Sequence, residues 1–266
     1  MNKKAKLAAL ISGAVLLAYA AFPVFAQNSS NDNDIPERDG VYNVPKHPNM
    51  KVRVFVHKQK PQSQPSATPA PLACGLDAQD INSQAVTPAT PWHLKNGAWN
   101  YYLNLGSVPS GIGSANLVMI ANNAFATWAA TNVGHSVTFN NIGNTTINRK
   151  AFDGKNIIAW GRTSQSALAV TYTWYYTATN EVAEEDTIFN KQYPWSWSGS
   201  NTDCANPNSY DTQDILTHEL GHWMGLDDTY APAYVNNTMY GYGSRWETKK
   251  DTLTDGDISG IAAIYP

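Results

Sequence analysis

His218 and His222 stand four residues apart, and Glu219 directly follows the first. On a helix, positions i and i+4 share one face about a turn apart, so the two imidazoles can address one ion. Neutral imidazole suits zinc well. Glu219 reaches the edge of such a site without being a natural ligand, and a carboxylate there can take a proton from a water activated by the ion. A catalytic zinc asks for three protein ligands and a position kept for water. No histidine follows His222, so the third ligand belongs to another residue type. Gly225, just past the helix, tolerates the left-handed backbone that turns the chain back toward the metal. Asp228, three residues beyond that glycine and ten beyond His218, has the register to complete a His2Asp set. Asp227 arrives one residue early, and Glu247 follows a long loop. The remaining histidines carry no motif that aims them at the cleft. His47 and His57 fall in a polar tail, His93 precedes the first strand of the folded part, and His135 falls in a turn before the second.

The helix that must carry the pair is predicted over 211–225. Asp211 caps it and Asp214 occupies the third helical position, where a negative charge suits the helix dipole. Leu216, Leu220, Trp223 and Met224 form the face that buries against the domain, leaving the histidines to the cleft. An earlier helix is predicted over 115–131, with Leu117, Ile120, Ala121, Ala124, Phe125 and Trp128 inward and Ser114 as cap. Strands are predicted at 99–105, 137–142, 156–160, 167–176 and 184–190. A closing helix begins after Thr254, with Ile258, Ile261, Ala262 and Tyr265 on one face. This order suits a single α+β domain over residues 92–266.

The N-terminus reads as a secretory signal, residues 1–26, with Lys3, Lys4 and Lys6 before the apolar run Leu7–Ala21 and small residues ahead of Gln27. An uncleaved anchor is the alternative, though the run is short for a membrane span. Residues 27–91 read as a tail, a linker or a short pro-segment rich in Pro, Ser and Gln. Within them "KVRVFVH" (51–57) alternates like a strand, but alone it makes no domain. The formal charge is −3, and losing residues 1–26 removes three lysines and no acids, leaving −6. An acidic balance argues against nucleic acid as a partner. A secreted, monomeric protein without membrane contact after signal cleavage is expected. Two cysteines, Cys74 and Cys204, would lie in an oxidising compartment, where an even count favours a disulfide between them.

"HELGHWMGLDD" (218–228) resembles the extended metzincin motif H-E-x-x-H-x-x-G-x-x-H/D, most closely that of secreted bacterial matrixin-like peptidases. The resemblance runs from about Trp92 to Pro266. "NTMYGYG" (237–243) is similar to the family's Met-turn, with Met239 as an apolar floor under the metal. "EEDTIFNKQYPWS" resembles the last strand before the zinc helix, and "TLTDGDISGIAAIYP" the closing helix. The resemblance implies a mixed twisted sheet with an active-site helix and a C-terminal helix. It also implies a zinc-dependent endopeptidase acting on protein or peptide, in which His218, His222 and Asp228 bind zinc and Glu219 is the general base. The edge strand of the sheet beside the cleft would fall within Ala167–Tyr172. Ile215 and residues 240–246, Tyr240 among them, would wall the substrate pocket.

The chain departs from that family in several ways. Aspartate replaces the usual third histidine, which should make the zinc a weaker Lewis acid. The histidines of a second, structural zinc are missing. Calcium is a further candidate, with Asp153, Glu184, Glu185 and Asp186 as oxygen ligands. "LACGLD" (72–77) resembles the matrixin cysteine switch, a rival to the disulfide, but lacks its arginine. The competing function is a secreted zinc-containing protein that binds wall or carbohydrate surfaces without catalysis. A zinc hydrolase acting on something other than peptides is a third reading.

Overall fold

The computed structural model describes residues 35–61, 85–199, 208–245 and 247–266. The expected signal peptide, Cys74, Cys204 and the side chain of Trp246 lie outside these. Among the described residues no helix is long and apolar enough to cross a membrane.

In chain order the strands are β1 (Gly40–Val44), β2 (His47–Gln59), β3 (Gly97–Leu103), β4 (Val137–Asn144), β5 (Asn156–Gly161), β6 (Ala167–Tyr176), β7 (Val182–Asn190), β8 (Trp195–Ser196), β9 (Tyr210–Asp211) and β10 (Tyr242–Gly243). The helices are α1 (Ser114–Ala129), the single turn α2 (Val133–Ser136), α3 (Thr212–Trp223) and α4 (Asp255–Ile264). The main sheet is mixed and runs β1-β2-β6-β7-β5-β3-β4, with β10 added to β2. β3, β4, β5 and β7 pair in parallel, which requires crossovers such as α1 between β3 and β4. β6 is antiparallel to both of its neighbours, β7 and β2.

Two expectations fail at β2. Residues 40–59, read as part of a tail, are two strands of the main sheet. Ala167–Tyr172, read as lying on an edge, is flanked on both sides. The alternation in 51–57 is the reason β2 fits there. Met50, Val52, Val54 and Val56 enter a core on one face of the sheet, with Ile157, Val170, Tyr172, Trp174 and Ile188. The residues between them face the helices, and Phe55 joins the larger core of α1, α3 and the sheet. The strand is buried on both faces, as a central strand is.

The helices hold small corrections. The N-cap of α1 is Gly113, at φ 85°, and the Ser114 hydroxyl instead donates to the Leu105 carbonyl at 2.9 Å. On α4 the expected face is rotated: Ile258 is 41% exposed and Ala262 is exposed, whereas Ile261 and Tyr265 are buried. Gly256 and Gly260 complete the inward face because the 85–87 backbone presses on them. A Cβ on Gly260 would stand 2.6 Å from the Thr87 carbonyl oxygen.

Candidate metal centre

α3 starts where Asp211 accepts hydrogen bonds from the Gln213 and Asp214 amides, at 2.9 and 3.1 Å. This satisfies two of the free N–H groups of the first turn. Leu216, Leu220 and Trp223 pack into the main core, and the Trp128 indole of α1 donates to the Thr217 carbonyl at 2.8 Å. Gly221, between the two histidines, is where Met239 approaches the helix: a Cβ there would overlap Met239 Sδ and stand 2.8 Å from a Trp128 ring carbon. Gly225 has φ 98°, and a Cβ on it would meet the Trp92 carbonyl oxygen at 2.7 Å. Only glycine suits that reversal.

The chain then returns, and His218, His222 and Asp228 converge. The His218 Nδ1–H donates to the Thr238 carbonyl at 2.7 Å, and the His222 Nδ1–H to the Leu226 carbonyl at 2.9 Å. A carbonyl can only accept, so both Nδ1 atoms are protonated and both Nε2 lone pairs point to the centre. Burial brings both histidine pKa values down to about 3, so the rings are neutral. Asp228 Oδ1 lies 3.2 Å from His218 Nε2 and 3.6 Å from His222 Nε2. Ligand bonds of 2.0–2.1 Å in a tetrahedron separate ligand atoms by about 3.3 Å, so this donor set fits zinc. All three atoms are buried without a hydrogen-bond partner, as is Glu219 Oε1. Buried polar atoms without partners are costly, and an ion among them answers the cost. The Tyr230 hydroxyl, 3.3 Å from Asp228 Oδ2, donates to the outer carboxylate oxygen.

The turn that carries Met239 is anchored from α4. Thr254 and Asp257 form a capping box, and the Asp257 carboxylate also accepts from the Thr238 amide at 2.8 Å. The carbonyl of the same Thr238 orients His218, so the closing helix sets the first histidine through one residue. Met239 is fully buried and lies against Gly221 of α3.

Glu219 is buried, and burial pushes its carboxyl well above the usual range, with the Thr171 hydroxyl pulling back. Thr171 Oγ1 donates to Glu219 Oε2 at 2.5 Å. Thr171 lies 2.7 Å from Thr187 Oγ1, which accepts from the Trp223 indole at 3.0 Å. Thr171 has spent its proton on Glu219, so Thr187 must donate to Thr171. One line of donors thus runs from the end of α3 through β7 and β6 back to Glu219.

The histidines were expected to face an open cleft, yet both are fully buried, because β2 lies over them. His57, expected in a tail, is at the centre: its Nδ1 is 3.2 Å from Glu219 Oε1, and its ring centroid 4.0 Å from that of His218. Phe55 stacks on His222, with centroids 3.7 Å apart and planes 6° from parallel. The alternation of 51–57 was the one signal that could have put Arg53, Phe55 and His57 on a common face.

The other candidates are placed as follows. Asp227 turns away from the histidines: its Oδ1 accepts from Arg53 Nη2 at 3.2 Å and from the Asp228 amide at 2.9 Å. Glu247 is paired with Lys249 and Lys250. A Cβ on Gly243 would meet Ile215 and Leu168 methyls at 2.9 and 2.8 Å, so Ile215 stands beside β10. Tyr240 packs edge-on against Tyr242, beneath Lys249 Nζ. Among the described residues, only His218/His222/Asp228 and His57/His218/Glu219 bring three potential metal ligands together. The four carboxylates proposed for calcium do not. Glu184 takes the Asp153 and Gly154 amides, and Asp186 those of Ala151 and Ile157.

Residues 98–266 match the sequence profile of the family described as matrixin. Over 83 residues the chain is 34% identical to matrix metalloproteinase-16 of Rattus norvegicus and of Homo sapiens. The matched stretch is 30% of this chain and only 12% of those relatives' length.

Proposed function

The chain belongs to the matrixin family, and from that premise we propose that it is a secreted zinc-dependent endopeptidase that hydrolyses peptide bonds with Glu219 as general base. The observation that carries this reading is the convergence of His218 Nε2, His222 Nε2, Asp228 Oδ1 and Glu219 Oε1, all buried and without hydrogen-bond partners. A bound zinc ion supplies Lewis acidity and lowers the pKa of a water toward neutrality. His218, His222 and Asp228 would hold it, with the Thr238 and Leu226 carbonyls keeping both imidazoles in the ligating tautomer. Glu219 stands beside the donor set rather than in it. Its carboxylate accepts the proton of the attacking water and later passes it to the leaving amine. Thr171 holds one Glu219 oxygen, so that the other, Oε1, is the one that exchanges the proton.

Ile215, which stands with Leu168 beside Gly243 of β10, would border the substrate side-chain pocket. A purely binding role has no use for an acid beside the metal, and a closed structural site would place none there.

The test is hydrolysis of an unstructured protein such as casein by zinc-loaded chain, with and without a chelator, beside the Glu219→Gln variant. Chelator-sensitive cleavage that Glu219→Gln abolishes while retaining zinc is expected. Undiminished cleavage by zinc-loaded Glu219→Gln would remove Glu219 from the mechanism, and cleavage indifferent to the chelator would remove the metal.

A further inference from the structure

The two oxygens of Asp228 meet different surroundings. Oδ1 joins the Nε2 atoms of His218 and His222, at 3.2 and 3.6 Å, and has no hydrogen-bond partner. Oδ2 faces the Tyr230 hydroxyl, 3.3 Å away. Among the described residues this hydroxyl is the one hydrogen-bond donor to the Asp228 carboxylate. The carboxylate is buried, its side chain only 2% exposed, so solvent offers little in place of that donor. Each imidazole presents a single lone pair to the centre, because its other nitrogen is engaged by a carbonyl. A carboxylate has no such limit and binds an ion through one oxygen or through both. With both oxygens engaged, the position that a catalytic zinc keeps for water is crowded.

Tyr230 is placed by the turn that carries Met239. The Thr229 amide donates to the Met239 carbonyl at 3.0 Å, and the Gly241 amide to the Thr229 carbonyl at 2.8 Å. The ring of Tyr230 lies over residue 241. A Cβ on Gly241 would stand 2.5, 2.6 and 2.8 Å from its Cε1, Cζ and Oη, so any larger residue there would displace the ring. Tyr242 meets the ring edge-on, with centroids 5.0 Å apart. The ring is thus held on two sides while its hydroxyl reaches the ligand. A ring that served packing alone would do so equally well without the hydroxyl.

We propose that Tyr230 is a positioning residue of the metal centre: its hydroxyl holds Oδ2, so that Asp228 ligates through Oδ1 alone and the fourth position stays open to water. The proposal rests on the reading of that centre as the zinc site of a peptidase. It assigns to Tyr230 the part that the Thr238 and Leu226 carbonyls play for the two histidines. Those carbonyls fix which nitrogen faces the ion, and the hydroxyl fixes how many oxygens do. The need for it arises because the third ligand is a carboxylate.

The experiment uses the full chain carrying Glu219→Gln, to prevent self-cleavage, fully loaded with Co2+ in place of zinc. Adding Tyr230→Phe should weaken the visible bands, since the ion gains a fifth donor and five-coordinate cobalt absorbs less than tetrahedral cobalt. The urea midpoint of the metal-free chain should not move, because the ring stays. In an Asp228→His background the third ligand has one lone pair to offer, and there Tyr230→Phe should leave the bands as they are. Unchanged bands on adding Tyr230→Phe with Asp228 in place overturn the proposal, and so does an equal change in both backgrounds. In parallel, with Glu219 intact and zinc bound, Tyr230→Phe should cleave a quenched fluorescent peptide with kcat lower by roughly 10- to 100-fold. If no chain cleaves peptide although the bands respond as stated, the peptidase reading falls while the role of Tyr230 at the metal stands. A parent chain that binds no cobalt overturns both.

Discussion

The Thr171 hydroxyl donates to Glu219 Oε2 at 2.5 Å across 48 residues of sequence. It is itself supplied by Thr187, which sits directly opposite on β7. The proposed base is thus held by the sheet and not by its own helix.

Replacing Thr171 with Val keeps the shape and removes the donor. A hydrogen bond to a charged group contributes about 1.5–3 kcal/mol, so kcat/KM should fall roughly 10- to 100-fold. The hydroxyl favours the ionised carboxylate, so its loss raises the Glu219 pKa. A base acts ionised, so the acid limb of the pH–rate profile should move to higher pH. A lowered rate with an unmoved limb would mean that Thr171 only packs.

Asp228 and its neighbour should separate cleanly. Asp228→Ala removes a ligand and should lose zinc on dialysis and all activity. Asp228→His should retain zinc, since imidazole meets the same coordination. Asp227→Ala should keep zinc, because Asp227 is engaged by Arg53 and the Asp228 amide. Zinc content by atomic absorption decides. Metal loss in Asp227→Ala with retention in Asp228→Ala would put the register off by one.

Gly221→Ala inserts a methyl group where Met239 lies. Overpacking of this kind costs about 1–3 kcal/mol, read as a lower urea midpoint at unchanged m. Combining it with Met239→Ala should return part of that loss, so the two changes are not additive. An unaltered midpoint in Gly221→Ala would show that the Met-turn does not press on the helix.

Acid should act on the loop that carries β10. Burial opposes ionisation of Glu247, but Lys250 and Lys249 prevail and hold its carboxyl at about 2. That lies below the ordinary glutamate value of about 4.3, so the ion pairs contribute stability above that value. The contribution fades as pH falls and is gone once pH passes below about 2. With chelator present, so that metal loss plays no part, Glu247→Gln should flatten the dependence of the urea midpoint on pH in this window. An equal slope in both proteins would sink the assignment.

Much of this was legible in the chain itself. The i, i+4 histidine pair, the Asp211 cap, the Gly225 reversal and the helix-period faces of α1 and α3 are local features, and local backbone preference and periodicity express them. The five strands from β3 to β7 announce themselves through β-branched and aromatic runs. Strand pairing is a different matter, because it joins residues far apart and leaves no local trace. β2 looked like a fragment of tail since its partner β6 lies more than a hundred residues on, and His57 was set aside with it. The facing of Thr171 and Thr187 depends on the β6–β7 register, and the histidine tautomers on the Thr238 and Leu226 carbonyls brought up by two turns. The sequence determined which residues could hold a metal. Tertiary structure alone decided what covers them, because only the assembled sheet brings β2 against the histidines of α3.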